Sequence, residues 1–269
     1  MFNIKSKFHG FRHLFWPLGD QGVVSGSNFL TTIVLARALS PDDFGIFQIL
    51  MLCVFLGNAL QIGLLSSPMM SIGTKCSRQE SPHYFGAVIV LHLVFLFAIA
   101  FVLLLSPFVL AWFHPPWDVS HFAPYFAFMG TGFLAQDSCR RYCFARGRVR
   151  LPIVLDLLSY LGQLLALVGF HYFGGLSVEL VLLIAGTTSF LGVIPFIFSA
   201  GPVQFGRASF IYTLRRNWKF SSWLLGGIFF QWCTANLYLF FAGAVLGAPA
   251  VGGMKAAQNI IGPTHILMK

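Results

Sequence analysis

The chain has 269 residues, 57% of them hydrophobic and only 9% charged, with a mean hydropathy of +0.78. Soluble domains carry about 25% charged residues, so a soluble globular core is excluded and a polytopic membrane protein is expected. The formal charge of +9 does not indicate nucleic acid, because basic residues in such a chain gather where cytoplasmic loops need them.

Residues 1–15, MFNIKSKFHGFRHLF, carry basic residues but no apolar stretch ending in a small-residue cleavage site. Phe8, Phe11 and Phe15 against Lys5, Lys7 and Arg12 predict a short amphipathic segment lying at the cytoplasmic interface. A first helix is predicted over 16–39, carrying Asp20, Gln21, Asn28 and Arg37 and ending at Ser40-Pro41-Asp42-Asp43. The second, 43–65, contains Gln48, Asn58 and Gln61, and a polar loop follows, SSPMMSIGTKCSRQESPH. The third, 84–111, is almost purely apolar around His92, and leads to the loop HPPWDVSH with two prolines and no Lys or Arg. The fourth, 122–146, turns polar at its end with Asp137, Arg140, Arg141 and Arg146. The fifth, 151–173, has Pro152 in its first turn, where proline is tolerated. After the sixth, 177–198, a loop with Arg207, Arg215, Arg216 and Lys219 leads to the seventh, 221–246. An eighth starts near Val251, and the chain reaches Lys269 before that helix has comfortably crossed.

The expected fold is therefore all-α, a polytopic membrane helix bundle. An interfacial segment (1–15) precedes a six-helix lobe (16–200), a basic cytoplasmic linker (201–220) and the start of a second lobe (221–269), which holds helix seven and part of helix eight. With the N-terminus in the cytoplasm, the inner segments hold Lys5, Lys7, Arg12, Lys75, Arg78, Arg140, Arg141, Arg146, Arg148, Arg150, Arg207, Arg215, Arg216 and Lys219. That is fourteen of the 17 basic residues, and so strong a bias supports the helix count as well as the direction.

A shift of 207 positions sets Trp16 on Trp223, Leu18 on Leu225, Gly19 on Gly226, Leu30 on Leu237, Leu39 on Leu246 and Gly45 on Gly252. In each copy a long helix ends in a short proline-containing loop and a small-residue start to the next helix. Transporter folds are commonly built from two such repeats with the substrate site between them.

Catalytic signatures are absent: there is no phosphate loop, no H-E-x-x-H and no G-x-S-x-G. No enzyme activity, cofactor or metal is expected. Cys53, Cys76, Cys139, Cys143 and Cys233 have no metal-ligand spacing and read as small core residues. His92 reads as hydrogen-bonded packing or, alternatively, as a proton relay.

Polar groups inside membrane helices usually face a cavity or a partner. Asp20, Asn28 and Thr31, with the overlapping set Gln21, Ser25, Asn28 and Thr32, fall on faces of helix one. Asn58 and Gln61 share a face of helix two. These faces line a water-filled cleft, or else they hydrogen-bond packed helices together. Arg37 is an anion-coordinating cation in the outer part of a cavity, or an interfacial arginine paired with Asp42 or Asp43. Lys255 lies in the first turn of helix eight. Asp137, Arg140 and Arg141 have the spacing for an ion pair within one turn. With Arg146, Arg148, Arg150 and Asp156 they form a basic cluster that serves as a gate, binds lipid phosphates, or simply sets the topology.

Ala36-Arg-x-Leu-Ser-Pro-x-x-Phe-Gly-x-Phe47 resembles the start of Wzx-type polysaccharide and O-antigen flippases, exporters of lipid-linked oligosaccharides in the superfamily that includes the MATE drug exporters. Arg141-Tyr-Cys-Phe-Ala-Arg-Gly-Arg148 followed by Asp156, and Gly252-Gly-Met-Lys-Ala-Ala-Gln258, are also similar. The resemblance implies flipping of a polyprenyl-diphosphate-linked oligosaccharide across the inner membrane by alternating access, with membrane lipid and glycan polymerase or assembly proteins as partners. It implies Arg37 and Lys255 as head-group ligands, with the Asn and Gln faces meeting sugar hydroxyls. Members usually have two six-helix lobes, so the chain corresponds to the N-terminal part of a longer transporter or to a truncated product. The rivals are a MATE-like small-cation antiporter, a membrane-embedded glycan enzyme, and a non-transporting component of a polysaccharide-assembly complex.

Overall fold

The computed structural model describes the backbone of residues 4–112 and 119–267, and the side chains of residues 19–112 and 119–259. The described residues form eight helices and no strand, an all-α bundle. They are α1 (Ile4–Ala38), α2 (Pro41–Lys75), α3 (Ser81–Trp112), α4 (Ala123–Ala145), α5 (Leu151–Phe173), α6 (Val178–Ser199), α7 (Arg207–Leu246) and α8 (Ala248–Leu267). Five of them, α2, α3, α5, α6 and α7, are long and apolar enough to cross a membrane, which marks a multi-pass membrane protein. The side chains of the amphipathic 1–15 segment and most of the HPPWDVSH loop lie outside the described residues.

Local chemistry sets the α1–α2 corner. Ser40 caps α2 by accepting from the Asp43 backbone N–H at 3.1 Å, and Pro41 occupies the first turn, where its missing N–H costs nothing. Asp42 and Asp43 add negative charge at the positive end of the helix dipole.

Two expectations about helix length are corrected. Helix two does not stop at 65. It runs on through a π-helical turn, Ile62–Ser66, a further α segment, Ser67–Ile72, and a 3₁₀ turn ending at Lys75. Pro68 cannot bond the carbonyl four residues back, which is that of Leu64. The Ser221 hydroxyl of α7 donates to the Leu64 carbonyl at 3.0 Å instead, so the helix continues past its proline. The same device operates in α3, where Ser106 donates at 3.0 Å to the Leu103 carbonyl that Pro107 leaves free.

Residues from 207 onward are likewise helix rather than loop. α7 spans 40 residues, about 60 Å at ~1.5 Å per residue, twice a ~30 Å hydrocarbon core. Its first turns, with Arg207, Arg215, Arg216 and Lys219, therefore extend beyond the apolar part of the helix. They are tied back to α3 by the Tyr84 hydroxyl, which donates to Asn217 Oδ1 at 3.1 Å.

The main core lies among α2, α3, α4 and α6, with Leu50, Val54, Leu103, Phe126, Leu134 and Val181 fully or almost fully buried. α8 packs along the first half of α2, where Ile49, Leu52 and Val251 are fully buried with Leu239 of α7. Outward-facing residues are apolar, including Phe97, Phe101, Phe198 and Val245. A soluble protein would not expose so much apolar surface, but lipid accepts it.

Candidate functional site

A cavity of about 280 Å³ lies between α1, α2, α4, α5, α6 and α8. α1 contributes Asn28, Thr31 and Thr32, and α2 contributes Gln48. α5 adds Ser159, Tyr160 and Gln163, α6 adds Ser189, and α8 adds Lys255 and Asn259. The apolar remainder includes Phe47, Phe55, Met129 and Phe133. Lys255 is the one charged side chain among the described lining residues; the other polar groups are amides and hydroxyls. Asn259 Nδ2 donates to Thr32 Oγ1 at 3.0 Å, joining α8 to α1 across the cavity's edge. Ser159 is buried and its hydroxyl has no protein partner.

Local geometry brings α5 into this wall. A π-helical turn at Leu157–Leu161 carries Ser159 and Tyr160, and α6 crosses it at Gly192, where an added Cβ would lie 2.0 Å from Ser159 Oγ. π-turns inside α-helices are frequent at functional positions because they re-aim side chains.

The charged residues form a separate layer. Arg140 of α4 donates to Asp20 Oδ2 of α1 through Nη2 at 2.7 Å and Nε at 3.2 Å. The same Nε lies 2.9 Å from Asp156 Oδ2 of α5. Gln136 donates to the other Asp156 oxygen at 2.5 Å. Asp20 and Asp156 are essentially fully buried. A second set adjoins it. Arg141 pairs with Asp137 at 2.6 Å, Asn58 of α2 donates to Asp137 at 3.0 Å, and Gln61 donates to Ser138 Oγ at 2.9 Å and to the Leu134 carbonyl at 3.2 Å.

The order along each helix places this layer at one end of the cavity. On α1, Asp20 lies about two turns from Asn28 toward the basic end. On α4, Gln136 and Arg140 follow Phe133 in the same direction, and on α5 Asp156 precedes Ser159. The ion pairs thus form a cross-link of three helices beneath the cavity, at the end carrying Arg146, Arg148 and Arg150. One guanidinium faces two carboxylates, so the Asp20–Arg140–Asp156 set has one negative charge in excess. A buried carboxylate left without a full cationic partner suits a small cation.

The chain matches no protein-family model, and no curated protein or solved structure gives a match.

The residues singled out from sequence therefore divide. Asn28 and Lys255 line the cavity. Asp20, Arg140 and Asp156 meet in the layer below it, and Asn58, Gln61, Asp137 and Arg141 are held in the adjoining polar contacts. Gln21 is exposed and donates to Ser25 one turn on. Arg37 is exposed, lies outside the cavity lining and makes no ion pair with Asp42 or Asp43; Asp43 instead accepts from the Ser40 hydroxyl at 2.8 Å. Gln48, Gln163 and Asn259 were not expected in the cavity. No sequence signal marked Asn259. The five cysteines are unpaired, and the described residues contain no cluster able to hold a metal.

Proposed function

We propose that the chain forms the substrate-handling part of a membrane carrier that moves a polyprenyl-diphosphate-linked oligosaccharide from the cytoplasmic to the outer leaflet of the inner membrane by alternating access. The observation that carries this reading is Lys255 alone among amides and hydroxyls in the cavity. A cation there suits a phosphate, and Asn28, Gln48, Gln163 and Asn259 suit sugar hydroxyls. The arginines below are already matched by aspartates, so they serve as a gate at the cytoplasmic end rather than as phosphate ligands. Arg37 has no part in this site as folded, and the phosphate falls to Lys255. The basic bias of the loops puts the N-terminus in the cytoplasm.

The test is binding of a fluorescent polyprenyl-diphosphate glycan to the purified chain in lipid nanodiscs. A charge-assisted hydrogen bond contributes about 1.5–3 kcal/mol, so Lys255→Met should weaken binding by about ten- to a hundredfold while leaving insertion and helix content unchanged. Equal binding by the variant rejects the reading.

A second reading, a small-cation antiporter, is favoured by the unbalanced carboxylate of the Asp20–Arg140–Asp156 set. In proteoliposomes it requires proton-driven uptake of an organic cation that Asp20→Asn abolishes and Lys255→Met spares.

A further inference from the structure

A second concavity lies on the opposite side of α4, away from the site above. It is a groove of about 460 Å³ between α3, α4 and α6, lined by Leu93, Phe97, Thr131, Tyr142, Phe196 and Ile197 among others. Its flanks face the membrane: Phe97 is 78% and Ile197 66% exposed. It runs from Tyr142, one turn inside the end of α4, to Thr131. The eleven residue steps between them span about 16 Å at ~1.5 Å per step, half of a ~30 Å hydrocarbon core. The groove therefore has the length of an acyl chain in one leaflet.

Its shallow end meets an unusual pair of cations. Arg146 and Arg148 follow Tyr142 around the end of α4, and both reach the α6–α7 loop at Gly201. A Cβ built there would lie 2.6 Å from Arg148 Nη2 and 3.1 Å from Arg146 Nη2. Gly201 has φ +85°, and its missing side chain leaves the two guanidinium groups side by side. Arg146 donates to Ser81 Oγ at 3.0 Å and stacks over Phe85 at 4.8 Å; neither arginine makes an ion pair among the described residues. Two like charges brought together without a carboxylate form an anion site. Tyr142 lines the groove one helical turn before Arg146, and its hydroxyl is buried with no protein partner. His92 Nε2 and Thr131 Oγ1, also buried and unpartnered, belong to residues deeper in the same lining.

We propose that this is a binding site for an anionic glycerophospholipid of the leaflet facing the basic end. Its phosphate lies between Arg146 and Arg148, its ester region lies at Tyr142, and one acyl chain fills the groove between α3, α4 and α6. The site is separate from the Lys255 cavity and does not depend on the carrier reading. A lipid held there clamps α3, α4 and α6 together at the end where Arg140 closes the cavity, so lipid composition would set the stability of that end.

The test uses the purified full chain in micelles containing dioleoyl phosphatidylglycerol, dioleoyl phosphatidylcholine or a polyprenyl phosphate, with retained lipid read by native mass spectrometry. Phosphatidylglycerol should be retained preferentially. A basic residue near an anionic lipid contributes enough for about a fivefold change in affinity, so Arg148→Gln should reduce retention about fivefold and Arg148→Lys should keep most of it. Ala100→Trp, at the groove's deep end, should also reduce retention with the helix content unchanged. A phosphatidylglycerol carrying a photoreactive tail should crosslink to residues 93–100 and 190–197 of the unmodified chain, which tests the groove even if Ala100→Trp does not fold. Equal retention of phosphatidylcholine, wild-type retention by Arg148→Gln, crosslinks only elsewhere, or displacement of phosphatidylglycerol by lower concentrations of polyprenyl phosphate each overturns the proposal.

Discussion

Gly45 of α2 and Gly252 of α8 meet backbone to backbone. A Cβ on Gly252 would lie 3.3 Å from both the Cα and the nitrogen of Gly45, and a Cβ on Gly45 would lie 2.0 Å from the Ala248 carbonyl oxygen. Small residues that let backbones approach are a main device of helix association in membranes. These two glycines are also the pair superposed by the 207-residue shift. The α1–α2 and α7–α8 pairs thus touch at equivalent points, with α2 packed on both α7 and α8, and α8 on both α2 and α1. Exchange of the two pairs about a local two-fold axis would produce these contacts.

Gly45→Ala should therefore be costly, because backbone and not a flexible side chain stands in the way. Overpacking costs about 1–3 kcal/mol, and the loss should appear as a lower melting midpoint in detergent. Gly252→Ala should cost less, since its nearest obstacle is the Phe44 ring at 2.9 Å. Gly253→Ala, with nothing within 4 Å, should stay within about 0.5 kcal/mol of the parent.

The Arg140 cross-link makes a sharper prediction. Removing one partner of a buried pair costs about 3–5 kcal/mol, because the remaining charge is left uncompensated. Arg140→Gln strands two buried carboxylates and should be the most destabilising substitution in the layer. Asp20→Asn leaves Arg140 with Asp156 and should be milder. Adding Asp20→Asn to Arg140→Gln should recover part of the loss, which a double-mutant cycle by thermal unfolding measures directly.

What the sequence made legible was local. Ser40-Pro41 ended one helix and began the next because capping depends on a few adjacent residues, and Asp137 with Arg141 paired because they are four residues apart. The Asp20–Arg140 bond joins residues 120 positions apart, and no periodicity encodes which aspartate an arginine will choose. Arg37 illustrates the converse. Its nearest acidic residues along the chain were candidates, yet the Ser40 cap holds Asp43 for its own helix. The cavity was legible only in outline, since Asn28 and Asn58 looked alike on paper and only packing set one beside the hollow and the other beside Asp137.

That division can be checked by thiol accessibility in a background lacking the five native cysteines. Asn28→Cys and Gln163→Cys, beside the cavity, should react readily with a membrane-impermeant maleimide from the cavity's open side. Ser138→Cys, buried beneath Gln61, should react at least tenfold more slowly under the same conditions. Equal rates at all three would show that the polar layer is as wet as the cavity, and the gate assigned to it would have no physical basis.

Pro68 and Ser221 give a test of the π-turn itself. The Ser221 hydroxyl donates to the Leu64 carbonyl, which Pro68 deprives of its i+4 helical partner. Ser221→Ala should cost about 1–3 kcal/mol, the penalty for a buried acceptor left unsatisfied, and should speed amide exchange around 62–68. Pro68→Ala restores a backbone N–H at the position that can serve that carbonyl. In its presence Ser221→Ala should cost less than in its absence, and the coupling between the two, read by thermal unfolding, isolates the bond. If the two losses instead add independently, the continuation of α2 past its proline is held by packing of Leu225 and Ile228 against Gly63 rather than by the hydroxyl.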